Sequence, residues 1–288
     1  MIRLLPITFI LLWSSAFITS KIIVLNATPF ASLTIRFIIV TVGFFLFIFY
    51  LKEKIFVKYT YIYQACITGI LFHGFYLGGV FFSIYIGLPA NIAALIVSLQ
   101  PILTNILAGP ILNEEVTWNQ WLGISLGFLG TVFVLGFDLG NSISFFSLIA
   151  CIVSLIALTT ATLWQKKLSY KLPLSTSNFY QALGASIFLF LIMIIFEKPY
   201  INFNSNFILS MSWQIIFISF GAFSILMYLI KIGTASQTSN LFFLVPSISA
   251  LMAWLFLDEI ITSLDILGLL ISSFGVYIAT TNKKLNNM

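Results

Sequence analysis

Ten long apolar runs, separated by short clusters of Pro, Asn, Gly and charged residues, account for almost the whole chain. A helix needs about 20 apolar residues to cross the roughly 30 Å hydrocarbon layer of a bilayer. The punctuation divides the runs into segments of that length: 4–25, 30–51, 61–86, 90–112, 118–137, 145–165, 175–196, 212–233, 237–257 and 264–281. Within each run the apolar residues are continuous rather than alternating, which argues against the ten-residue strands of a membrane barrel. The spacers leave no room for a soluble domain. The first run follows Met1-Ile2-Arg3 like a leader peptide, but it continues to Leu25 with no small-x-small cleavage site and carries Lys21 late. It reads as a retained membrane helix. The expected fold class is all-α integral membrane, with ten transmembrane helices.

Composition agrees and removes several function classes. Of 288 residues, 60% are hydrophobic and 7% are charged. A soluble surface uses roughly 25% charged residues, so lipid must solvate most of these side chains. Eight acids and one histidine are too few for the clustered His, Asp and Glu of a membrane hydrolase or acyltransferase. No phosphate-binding loop is present, which argues against an ATP-driven pump. No basic stripe interleaved with aromatics suggests nucleic acid. Cys66 and Cys151 each lie inside an apolar run and read as small core residues. No metal and no cofactor are expected.

Placement of the basic residues gives an orientation. Arg3, Lys52, Lys54, Lys58, Lys166, Lys167, Lys171, Lys231, Lys283 and Lys284 fall on one side, and Lys198 falls on the other with Lys21 near its edge. The positive-inside rule then puts both termini in the cytoplasm of a cell inner (plasma) membrane.

The chain also resembles itself at an offset of 145 residues. Pro101 matches Pro246, Glu114 matches Glu259, Thr117 matches Thr262, Gly123 matches Gly268 and Gly130 matches Gly275. Lys21 meets Lys166, Arg36 meets Gln181, and with a one-residue slip Ile86-Gly87 meets Ile232-Gly233. Two units follow, 1–143 and 144–288, each of five helices. Five is odd, so the second must enter the membrane from the opposite face. Inverted repeats of this kind give two states of similar energy, one facing each side, around a central cavity.

Trp13-Ser14-Ser15-Ala16-Phe17 resembles the opening of the drug/metabolite transporter superfamily, and Arg36-Phe37 resembles its Arg-Phe in the second helix. The stretch from Ala90 to Glu114 resembles the family's fourth helix, and Asn240 to Glu259 repeats it. The chain is thus similar throughout to the ten-helix EamA-type branch, departing from it at Ser14, where the family usually has Gly. The resemblance implies a basket of helices around a central cavity, with the fifth and tenth packed to one side. It implies transport of amino acids, nucleotide-type solutes, S-adenosylmethionine or drugs, without fixing which.

Candidate site residues come from polar groups in the spans. His73, the only histidine, lies mid-span, where an ionisable group must face a cavity or a partner. It either contacts substrate or couples a proton, or else hydrogen-bonds a neighbouring backbone carbonyl. Tyr76 shares its helical face. Arg36 either binds an anion or an acid, or snorkels to the nearby surface, which is the simpler reading of so shallow a charge. Gln100, Asn105 and Asn240 add polar groups beside Pro101 and Pro246. Those prolines are candidate kinks or hinges and free the carbonyls of Val97 and Phe242. Trp13, beside Ser14 and Ser15, is a candidate stacking platform; Ser15 completes the substrate-binding set. Glu114 and Glu259 sit too shallow for a proton site and read as helix-end residues. Most phenylalanines should face lipid, and Gly123, Gly127 and Gly130 should make a close helix contact. The expected function is secondary transport of a small polar metabolite, such as an amino acid, by alternating access, as a monomer or weak homo-oligomer in the bilayer. The alternative is a structural or receptor-like membrane protein.

Overall fold

The structure, a computed structural model, describes residues 4–88, 90–136, 144–257 and 261–281. Arg3, Asp258, Glu259, Lys283 and Lys284 lie outside the described residues. Among the described residues ten helices are long and apolar enough to cross a membrane: α1 (Leu5–Val24), α2 (Pro29–Leu51), α3 (Tyr59–Tyr85), α4 (Ile92–Leu112), α5 (Trp118–Leu135), α6 (Phe145–Leu168), α7 (Leu174–Phe196), α8 (Ser205–Ile232), α9 (Ala235–Phe256) and α10 (Ser263–Thr280).

Two boundaries differ from the sequence reading by more than two residues. The eighth helix begins at Ser205 rather than at 212, because the Asn204 side chain accepts a hydrogen bond from the Phe207 amide (2.9 Å) and starts the helix early. The polar run Asn204-Ser205-Asn206 resembles a loop and is in fact a cap. The sixth helix continues to Leu168, three residues past the expected end at 165. Its Lys166 is buried, and the ammonium donates to the carbonyls of Ile230 (2.9 Å), Lys231 (3.4 Å) and Gly233 at the end of α8. These are the orphan carbonyls of a helix C-terminus.

The repeat is visible in local geometry. Thr117 and Thr262 each form a capping box, with Gln120 and Asp265, at the start of α5 and α10. The third helix of each half contains a nine-residue π-helical stretch, Ile70–Gly78 in α3 and Gln214–Ala222 in α8. The fourth helix of each half is broken: α4 at Ser98–Leu99, and α9 by a 3₁₀ turn at Leu241–Phe243. Pro101 and Pro246 therefore sit in the first turn of a new helical segment, Gln100–Leu112 and Leu244–Leu257. A proline is accommodated there at little cost. The side chains reaching the second break bond carbonyls other than Phe242: Thr131 donates to Phe243 and Ser14 to Val245, each at 3.3 Å.

Packing follows small residues. A Cβ on Gly130 would lie 2.5 Å from the Ser272 amide and 2.6 Å from the Gly268 carbonyl, and one on Gly123 would lie 2.5 Å from Ala279 and Gly275. Backbone-to-backbone contact of this kind joins α5 to α10 to one side of the bundle. The expectation for phenylalanine holds only in part. Phe47, Phe49, Phe256 and Phe274 are exposed toward lipid, but Phe9, Phe37, Phe72, Phe207 and Phe243 are fully buried. Without a water-driven hydrophobic effect between helices, these rings fill the space that larger helix separations leave.

Candidate functional site

A small crevice opens between α1, α2, α3 and α8, toward the end of the bundle opposite Lys54 and Lys166. Ser20, Ser32, Arg36, Phe81, Met211 and Gln214 line it. Arg36 is 7% exposed, and its Nε donates to the Ser219 hydroxyl at 2.9 Å. Snorkelling is therefore overturned: the side chain turns across the bundle to α8 instead of along α2 to the surface. Among the described residues no carboxylate pairs with it. The Gln214 side-chain amide nitrogen lies 2.9 Å from the Ala16 carbonyl, 2.8 Å from Thr19 Oγ1 and 2.9 Å from Ser20 Oγ, while its Oε1 is buried with no partner. Gln214 and Ser219 both belong to the π stretch of α8. The wider turn presents side chains that an α-helix would direct elsewhere, a common feature of functional sites.

The other candidates fall into separate places. His73 and Tyr76 lie on the π stretch of α3. His73 is buried among rings, with centroids 4.3 Å from Phe37, 4.6 Å from Phe223 and 6.0 Å from Phe72. It has no hydrogen-bond partner among the described residues, so the carbonyl-bonded alternative does not apply. Phe37 bridges it to Arg36, whose guanidinium carbon is 5.4 Å from the same ring. Tyr76 is buried in an apolar cluster that Trp13 packs against. The Trp13 ring meets Phe9 and, edge-on, Phe242 at the α9 break. Ser15 turns toward α8, accepting from Trp213 Nε1 at 2.9 Å.

Gln100, Asn105 and Asn240 lie on the crossing of α4 with its neighbours. Asn105 donates to Asn240 Oδ1 (2.9 Å) and to the Pro101 carbonyl (2.7 Å), and accepts from the Ser236 hydroxyl. Gln100 is apart from this pair, donating to Thr104 (2.9 Å) and Thr162 (3.3 Å). Toward the lysine-bearing end, Glu114 closes the crossing. Its carboxylate accepts from the amides of Ala235 (2.9 Å) and Ser236 (3.1 Å), the first residues of α9. Glu114 is thus a helix-end residue that joins two helices; its repeat partner Glu259 lies outside the described residues.

The pocket residues have counterparts in the second half. At the 145-residue offset Ser20, Ser32 and Arg36 correspond to Gln165, Ser177 and Gln181. Those three are buried together: the Gln181 amide nitrogen donates to Gln165 Oε1 (3.0 Å) and Ser177 Oγ (2.9 Å). Gln165 Nε2 and Gln181 Oε1 are left without partners. Sequence reasoning missed the pocket itself. Gln214, an amide inside an otherwise apolar run, was the available signal, as was the pairing of Arg36 with Gln181. The thiols of Cys66 and Cys151 are free. Among the described residues no three His, Cys, Asp or Glu side chains gather to hold a metal.

Comparison with known proteins fits this geometry. The model of the EamA-like transporter family matches residues 2–136 and again 145–281. The chain is 25% identical over 235 residues to the uncharacterized transporter YvbV of Bacillus subtilis (strain 168), covering 78% of this chain and 72% of that protein. It is 26% identical over 283 residues to an uncharacterized transporter of Archaeoglobus fulgidus, covering 97% of each. A crystal structure superposes over 100% of this chain and 99% of its own with a TM-score of 0.83 at 18% identity, which shows a shared fold. The chain is therefore a multi-pass membrane protein and not an enzyme, and it belongs to the EamA-like transporter family of the drug/metabolite transporter superfamily.

Proposed function

We propose that the protein is a secondary, non-ATP-driven transporter of a small polar metabolite, an amino acid or related compound, working by alternating access between its two five-helix halves. The lysine-bearing end is cytoplasmic, the membrane is the cell inner (plasma) membrane, and the working unit is a monomer or weak homo-oligomer. One observation carries this reading: the two ends of the bundle differ although they are built from the same repeat. A polar pocket opens at one end around Arg36 and Gln214, while its counterpart around Gln181 is buried and hydrogen-bonded within itself. Exchanging the conformations of the halves would close the first and open the second. Such an exchange needs helices that can bend, and the π stretches and breaks supply bending points in both halves.

The test is flux of a panel of small metabolites into liposomes carrying purified protein, with and without a pH gradient. Protein-dependent counterflow of at least one solute is expected. Absence of flux for every solute would favour a structural or receptor-like role.

A further inference from the structure

We infer that Arg36 is the docking group for a substrate carboxylate. The inference rests on the transporter reading above and names its substrate class as small solutes bearing one carboxylate.

Arg36 brings an unbalanced charge to the pocket. A guanidinium stays charged at neutral pH, and burying one without a counter-ion is strongly unfavourable. Arg36 is 93% removed from solvent by its neighbours, yet its protein partner is one neutral hydroxyl, at Nε. Both Nη groups are without a protein hydrogen-bond partner among the described residues, and the side chain borders the pocket. The Nη groups form the planar fork that matches a carboxylate with two parallel hydrogen bonds. Gln214 adds an unpartnered buried acceptor on the same wall, and Ser20 and Ser32 add hydroxyls. Among the described residues the pocket thus presents a cation and two hydroxyls, and no anion.

Packing alone does not explain the arginine, because the fold contains a control. In the second half the same place is filled by Gln181, which is buried and bonded to Gln165 and Ser177. The architecture therefore accepts a neutral amide at this position. Charge also decides between anions. A carboxylate neutralises the single guanidinium, whereas a phosphate dianion would leave one negative charge uncompensated in a site walled by Phe81 and Met211.

The experiment measures thermal shift of the full-length protein in detergent against propionate, lactate, succinate and the common L-amino acids. Each acid is paired with its amide, and inorganic phosphate is included. At least one carboxylate should stabilise the protein, with its amide binding at least tenfold more weakly. Arg36→Gln, which copies the arrangement at Gln181, should weaken that acid at least tenfold. Arg36→Lys should lose less, keeping the charge without the fork. If Arg36→Gln does not fold, Ser32→Val, which leaves Arg36 and Ser219 in place, must weaken the same acid. The inference is overturned if no carboxylate binds, if acid and amide bind equally, if phosphate is preferred, or if the folded variants bind like the parent. Liposomes that pass an uncharged solute but no carboxylate would overturn the anion site and leave the transporter reading standing. Liposomes that pass nothing would overturn the reading beneath it.

Discussion

Removing the Glu114 carboxylate should loosen the closed end of the transporter. The first amides of a helix have no intrahelical partner, and Glu114 accepts from two of them at the start of α9, 2.9 and 3.1 Å away. Thr234 takes a third, the Gln237 amide, at 3.0 Å. A hydrogen bond to a charged group contributes about 1.5–3 kcal/mol net, and the helix dipole adds a further 0.3–1 kcal/mol or so. Water replaces part of this when the crossing opens, so Glu114→Ala should disfavour the closed state by about 2–3 kcal/mol. That is a factor of roughly 30–150 in the closed-to-open ratio. Ser239, buried on the same turn of α9, supplies the probe. With Cys66 and Cys151 replaced by alanine and Ser239 by cysteine, maleimide reaction from the lysine-bearing side should quicken at least tenfold in Glu114→Ala. Glu114→Gln, which keeps acceptors but not the charge, should fall between. A rate within twofold of the parent, in protein that remains monodisperse, would refute the view that Glu114 holds this end shut.

Three further outcomes are expected. Gly130→Ala should lower the melting temperature in detergent, because the added Cβ meets backbone on α10 at 2.5 Å; Gly109→Ala, whose nearest contact is 3.7 Å, should not lower it. A melting temperature for Gly130→Ala equal to the parent's would mean that α5 and α10 part easily. Flux should be equal at matched and unmatched pH, and His73→Gln should keep most of it, since the rings around His73 provide no counter-ion for an imidazolium and Arg36 lies just across Phe37; a pH-gradient requirement that His73→Gln removes would reverse this. Gln165→Leu with Gln181→Leu should slow flux at least tenfold without loss of thermal stability, because two unpaired buried amide groups are exchanged for apolar side chains, a replacement that is nearly neutral or stabilising. Parental flux in the folded double variant would place the transport path elsewhere.

The ten helices were legible because hydrocarbon demands continuous apolar length, and that demand is written directly in the residues. The repeat was legible at Pro101 and Pro246 and at Thr117 and Thr262, since helix starts and caps constrain residue type. The π stretches were not, because a π turn in an apolar run has no composition of its own. Their effect is to direct Gln214 and Ser219 toward Arg36. Depth along the axis was the misleading cue for Arg36. A charge one or two turns from a helix end can snorkel when it faces lipid, but Arg36 faces α8, and which way a residue faces is set by packing. Lys166 misled in the same manner. It looked like the charged boundary of a span and is instead a buried cap on α8. Asn105 and Asn240 were rightly seen as polar groups near the prolines, yet their mutual hydrogen bond depends on how α4 crosses α9, which spacing in the chain does not encode.

The two halves share the parts that allow motion and differ in the parts that bind. The π stretches, the broken helices and the capping threonines recur in both, so in the proposed cycle the bending cost of either state is similar. Arg36 recurs only as Gln181. A solute with a carboxylate should then bind more tightly when the pocket at the Arg36 end is open than when the Gln181 end is open. A passive carrier cannot turn that difference into net accumulation, because a solute shifts an equilibrium only by its differential affinity for the two states. The tighter site must release more slowly, and the rates of the two half-cycles compensate. What the asymmetry can set is which state rests. The unpaired amides of Gln165 and Gln181 raise the energy of the closed Gln181 end, and Glu114 on α9 lowers it. Glu197 fastens the first turn of α2 at the other end in the same way, accepting from the Phe30 and Ala31 amides at 2.9 and 3.0 Å, so Glu114 does not by itself decide which state rests.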